Sequence, residues 1–140
     1  MANNTIDYIT VATTGNAADF GDLGGTWYRS GGMSDATRGI ISGGYAYGVG
    51  YATQDNNMEY ITIGTLGNAT DFGDLQTGVM WPSATSNGTI GIIAGGNSNV
   101  DASPVYINTI NKCTIQTPAN CTDFGDLLVA RSKGGGLSGA

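Results

Sequence analysis

Three pairs of carboxylates are the residues best placed to do chemistry: Asp19 and Asp22, Asp71 and Asp74, Asp123 and Asp126. Each pair sits in the same word, Asp-Phe-Gly-Asp-Leu. Two such carboxylates can divide acid and base roles or give oxygens to calcium. A catalytic pair needs one copy, whereas a turn used in every repeat needs all of them. The words are therefore read as structural, with side-chain oxygens accepting backbone N–H bonds. Six of the eleven acids lie in them, so the net charge of −6 is mostly scaffold. The kinase-like Asp-Phe-Gly occurs three times without a Gly-rich loop or catalytic-loop partner, and is set aside.

The chain has no histidine. That removes Ser-His-Asp and Cys-His catalysis and most zinc or copper sites. Cys113 and Cys121 stand where the first repeat has Ile9 and Ala17. Small buried fillers are the favoured reading, and a disulfide across the turn around Pro118 is the rival; neither fixes the compartment. A metal site on the two thiols lacks two further soft ligands. No metal, cofactor or enzymatic activity is expected. The five basic residues, Arg29, Arg38, Lys112, Arg131 and Lys133, are scattered, which argues against nucleic acid as a partner. No apolar run approaches the ~20 residues of a membrane helix. The opening Met-Ala-Asn-Asn-Thr lacks the basic and apolar regions of a secretory signal. Asn68-Ala69-Thr70, Asn87-Gly88-Thr89 and Asn120-Cys121-Thr122 match glycosylation acceptors, but their turn positions explain them.

The elements that position these residues follow from a strict repeat. Leu23, Leu75 and Leu127 end the three words at intervals of 52 residues. Asn4–Leu23 aligns with Asn56–Leu75 and Asn108–Leu127, and Arg38–Gly44 aligns with Ile90–Gly96. The repeats are thus 4–55, 56–107 and a truncated 108–140, within one unit over residues 1–140. With 24 glycines and 11% charged residues, short strands and turns are expected rather than helices. Asn4–Val11 alternates apolar and polar residues as a half-buried strand, followed by a turn at Thr14-Gly15-Asn16. Ala18–Leu23 reads as a short strand centred on Phe20, and Gly24–Met33 as a third strand. After a turn at Ser34-Asp35-Ala36, Arg38–Ser42 is a fourth, closed by Gly43-Gly44. Four strands per period of about 50 residues is the signature of a β-propeller blade.

At the glycine doublets the chain resembles the kelch repeat family. Ile40-Ile41-Ser42-Gly43-Gly44 and Ile92-Ile93-Ala94-Gly95-Gly96 match that family's apolar strand ending in Gly-Gly. Tyr8 and Tyr60 match its aromatic strand, and Val129-Ala130-Arg131-Ser132 looks like the strand upstream. The family's tryptophan is absent, with Phe20, Phe72 and Phe124 in its place. The Thr-Asp-Phe-Gly-Asp-Leu word is also similar to kelch-like repeats of phage and environmental marine proteins. The resemblance implies an all-β propeller of four-stranded antiparallel blades, with the three phenylalanines in the blade cores. Lettering the strands a to d from the axis outward, the chain reads c-d, a-b-c-d, a-b-c-d, a. Such an open set is expected to close by self-association, as a homodimer of six blades.

The repeats differ most in the b–c and d–a connections, which emerge on one face. Tyr45–Tyr51 stands against Asn97–Ser103, and Gly24–Tyr28 against Gln76–Met80 with Trp81. Variable loops on a constant frame suit ligand binding. Trp27, Tyr45, Tyr47, Tyr51 and Trp81 are the expected ligand-binding residues, and a glycan is the expected ligand. The expected role is a non-enzymatic binding or adhesion module. Its alternative is a purely structural repeat scaffold.

Overall fold

The computed structural model describes residues 3–46, 53–99 and 103–138. Among these, all regular structure is β. In chain order the strands are β1 (Thr5–Tyr8), β2 (Ala18–Asp22), β3 (Trp27–Tyr28), β4 (Gly31–Ser34), β5 (Arg38–Ser42), β6 (Tyr45–Ala46), β7 (Thr53–Gln54), β8 (Asn57–Thr62), β9 (Thr70–Asp74), β10 (Ser83–Ser86), β11 (Ile90–Ala94), β12 (Thr109–Thr114) and β13 (Thr122–Asp126). No helix is long and apolar enough to cross a membrane.

Every pairing is antiparallel. A two-stranded sheet β1-β2 is followed by the four-stranded sheets β4-β5-β8-β9 and β10-β11-β12-β13. Each full sheet takes two strands from one repeat and two from the next, the order read from the sequence. A small sheet, β3-β6-β7, stands apart. The expected strand over Gly24–Met33 therefore divides: Trp27–Tyr28 joins the small sheet, and the first strand of the full sheet begins only at Gly31. By the 52-residue register its third counterpart is Gly135–Ser138, not Val129–Ser132. The turn expected at Thr14-Gly15-Asn16 tightens earlier, where Thr13 N–H donates to Thr10 O at 3.1 Å.

The repeated word encodes a β-bulge. Ile6 pairs with Gly21 but Asp7 with Asp19, so Phe20 has no partner of its own; the same slip recurs at Met58/Glu59 and Ile110/Asn111. The extra residue needs positive φ beside it, which glycine supplies at Gly21 (148°), Gly73 (126°) and Gly125 (134°). The first Asp of the word pins the bulge: Asp71 and Asp123 each accept the N–H of the glycine two residues on, at 3.2 Å. These two aspartates thus serve the backbone.

Packing between sheets is where the apolar residues are spent. Met33, Ile40, Met58, Phe72, Leu75 and Val79 share one buried cluster with Ile93, Cys113, Ile115 and Cys121 of the following sheet. Each fully buried side chain of this size stabilises by roughly 1.5–3 kcal/mol. Phe20 and Phe72 are core residues as expected, 6% and 1% exposed, with Tyr8 and Tyr60 edge-on to them. Phe124 corrects the sequence expectation: it is 60% exposed. It has the same word and strand, but no following sheet among the described residues lies over it.

The glycine doublets seam neighbouring repeats. Gly44 N–H donates to Val79 O at 2.7 Å, and Gly96 N–H to Arg131 O at 2.9 Å. A Cβ on Gly43 would stand 2.8 Å from Val79 O, so the chains approach as closely as glycine permits.

Candidate functional site

The site is built on one repeat position that carries three different residues. Arg29, Trp81 and Lys133 lie 52 residues apart, just ahead of the first strand of each unit, and all three have left-handed φ: 70°, 55° and 62°. Such values are uncommon outside glycine. At Trp81 and Lys133 the N–H turns onto the preceding repeat. Trp81 N–H donates to Arg29 O at 2.7 Å, and Lys133 N–H to Trp81 O at 3.0 Å. The backbone column stacks the side chains. The Arg29 guanidinium is 4.3 Å from the Trp81 ring centroid, and the Lys133 ammonium 4.4 Å from it.

Strands β3 and β6 add two tyrosines. Tyr28 faces Tyr45 across that ladder, with ring centroids 4.9 Å apart and planes 59° to each other. Arg29 reaches these rings too, at 5.0 and 5.3 Å, and donates to Met80 Sδ at 3.3 Å. The aromatics are half-buried while Arg29 and Lys133 are exposed. Among the described residues neither cation forms an ion pair with a carboxylate. In a chain of net charge −6 this is a local concentration of positive charge.

Of the five residues expected from sequence, Tyr45 and Trp81 come together around Arg29. Tyr47 and Tyr51 lie outside the described residues. Trp27 turns away from the cluster: its indole nitrogen packs over Gly25 and, among the described residues, is buried without a hydrogen-bond partner. The Trp81 ring carries a cation from each neighbouring repeat, Arg29 and Lys133. Arg29, Lys133 and Tyr28 were missed. The 52-residue register places Arg29 and Lys133 at the position of Trp81, and extending it through the connections finds them.

The remaining candidates have structural settings. Cys113 and Cys121 are buried as free thiols, as the filler reading expects. The hydrogen bond to Cys113, and then burial, push the Cys121 thiol up. Among the described residues no group of three His, Cys, Asp or Glu is placed to hold a metal ion. Asp35 closes the turn before β5, accepting the N–H groups of Thr37 and Arg38 at 2.7 Å each. Gln116 of the neighbouring sheet donates to its other oxygen, and these bonds hold the carboxyl at about 2.

No protein-family model matches this chain, and no curated protein does.

Proposed function

We propose that the chain is a segment of a kelch-like β-propeller that acts as a non-enzymatic binding module, with acidic glycans as its ligand class. The observation that carries this reading is the Arg29–Trp81–Lys133 column, its two cations exposed, beside Tyr28 and Tyr45. Two cations without carboxylate partners among the described residues suit a carboxylate or sulfate on a sugar. The half-buried tyrosines beside them suit the sugar's C–H faces. The position supports it as well, since these residues gather on the connections that vary between repeats.

The test is a glycan array with neutral, uronate- or sialate-bearing and sulfated arms, repeated with Arg29→Gly and Lys133→Ala. Binding to an acidic arm that both variants lose supports the reading. Binding confined to neutral sugars, or unchanged in the variants, overturns it.

The backbone bonds along the same column favour a second reading. They tie three repeats together whatever the side chains do, as a structural scaffold with no ligand requires. A full array without a hit selects that reading.

A further inference from the structure

Each sheet holds the next through polar contacts that recur at both junctions, apart from the Gly67–Phe20 bond, which belongs to the first. Asp22 N–H, turned away from its own sheet, donates to Asn68 Oδ1 at 3.0 Å. One repeat on, Asp74 N–H donates to Asn120 Oδ1 at the same distance. Asp22 O and Asp74 O accept from Ala69 N–H and Cys121 N–H, both at 2.8 Å. Gly67 N–H donates to Phe20 O at 2.8 Å. A fourth contact joins Gly24 N–H to the Glu59 carboxylate at 3.0 Å, and Gln76 N–H to Asn111 Oδ1 at 3.2 Å.

Advancing this pattern by one repeat leaves half of each contact on the two outer faces of the described repeats. At one end Phe124 O, Asp126 N–H and O, and Leu128 N–H are the open halves. Phe124, Asp126 and Leu128 are exposed, and nothing lies within 4 Å of a Cβ placed on Gly125. By contrast, the equivalent atom on Gly73 would stand 2.5 Å from the Ala119 carbonyl carbon. At the other end Gly15 N–H, Asn16 Oδ1, Ala17 N–H and the Asp7 carboxylate are the matching halves, all on exposed residues.

The apolar surfaces match in the same register. Phe124 and Ile92 line an open recess of about 500 Å³. Their counterparts Phe72 and Ile40 are sealed, each 1% exposed, in one cluster with Ile115 and Cys121. The residues equivalent to Ile115 and Cys121 at the opposite end are Val11 and Ala17, and Val11 is 92% exposed.

We infer that the Phe124 face of one chain is the docking site for the Asn16 face of a second copy of this chain. The contact repeats the internal one: Asp126 N–H donates to Asn16 Oδ1, Ala17 N–H to Asp126 O, Gly15 N–H to Phe124 O, and Leu128 N–H to the Asp7 carboxylate. It is heterologous, one end of a copy meeting the other end of its neighbour, and so propagates around a ring. The inference rests on the repeat register and needs no ligand; glycan binding that persists without association removes this inference and leaves the ligand reading standing.

Light scattering and sedimentation from 1 to 100 μM test it. The wild type is expected to associate, and Asn16→Ala to weaken association at least about tenfold. Ala17→Arg and Phe124→Asp, both at exposed positions, are each expected to be monomeric with unchanged circular dichroism. Mixing those two variants restores one wild-type contact, the unmodified Phe124 face against the unmodified Ala17 face, so a one-to-one complex is expected. Amide exchange at Asp126 is expected to slow with concentration in the wild type and not in Asn16→Ala. A folded wild-type monomer across the range overturns the inference. So does a mixture that stays monomeric, or association unaffected by Phe124→Asp.

Discussion

Trp81 rests on Arg29 twice over: its backbone N–H donates to the Arg29 carbonyl at 2.7 Å, and its ring lies 4.3 Å from the guanidinium. The two residues occupy one repeat position, so a contact between loops is also a contact between repeats. Arg29→Gly separates the two roles. Glycine removes the guanidinium, losing exposed cation–π contacts of roughly 0.5–1 kcal/mol each. It also relieves a φ of 70° that costs an ordinary residue about 1 kcal/mol or more. The melting temperature is expected to stay within a few degrees of wild type, while binding to acidic glycans falls at least tenfold. A single sugar site of this kind is expected near millimolar, about 4 kcal/mol. Repetition around a ring would raise avidity by ~10²–10⁴. Calorimetry and surface-bound glycan assays measure the two quantities.

Phe72 and Phe124 share a word and differ in their surroundings. Phe72→Ala is expected to cost ~3–5 kcal/mol in urea unfolding, because it empties a buried site. Phe124→Ala, measured on dilute chain, is expected to cost under about 1 kcal/mol. Equal losses at the two positions would contradict the exposure of Phe124.

The bulge glycine carries both strain and contact. Gly73 has φ of 126°, and a methyl there would stand 2.5 Å from the Ala119 carbonyl carbon. Gly73→Ala is expected to destabilise by more than about 2 kcal/mol, since neither the backbone nor the neighbour can yield cheaply. Gly64→Ala is the control: nothing lies within 4 Å of its added carbon, and a change within about 0.5 kcal/mol is expected. Chemical denaturation of both variants checks the contrast.

Asp35 gives the fold an acid limb. Its carboxyl is held at about 2 in the folded chain against an ordinary value of 3.8, first by the Gln116 side chain and then by the Thr37 N–H. A depressed carboxylate contributes stability above pH ~4 that is lost as pH falls through 3.8 toward 2. The residue is half-buried at the surface, where solvent still screens the carboxylate, so the effect is small. An NMR titration is expected to place its midpoint near 2, and Gln116→Ala to move it up toward 3.8. Asp35→Asn keeps the turn, as Asn87 does at the equivalent position, and is expected to make the fall in melting temperature between pH 4 and 2 slightly shallower.

Much of the architecture was legible in the chain because the repeat is strict in the residues that build strands. Arg38–Ser42 is the strand the sequence reading placed there. The alternation of β12, with Asn111 and Cys113 inward and Lys112 between them, follows the same rule of period two. Of the six aspartates of the repeated word, Asp71 and Asp123 accept backbone N–H bonds through their side chains, as a turn shared between copies implies. The small sheet was not legible: two-residue strands such as Trp27–Tyr28 carry too few positions to show a period.

What the sequence determined by itself is local: a 52-residue period, the strands that recur with it, and glycines at the positions where the chain takes positive φ in each copy. Tertiary structure decided everything that depends on which neighbour is present. Phe72 and Phe124 are indistinguishable within their words, yet one is sealed by the following sheet and the other faces open space, because burial belongs to the neighbour and not to the residue. Arg29, Trp81 and Lys133 show the converse. They have no side-chain chemistry in common as a set, so the 52-residue register aligns their positions but does not show that their side chains meet. A left-handed turn and a hydrogen bond to the preceding repeat made them one column, since backbone geometry repeats even where the side chains it carries do not.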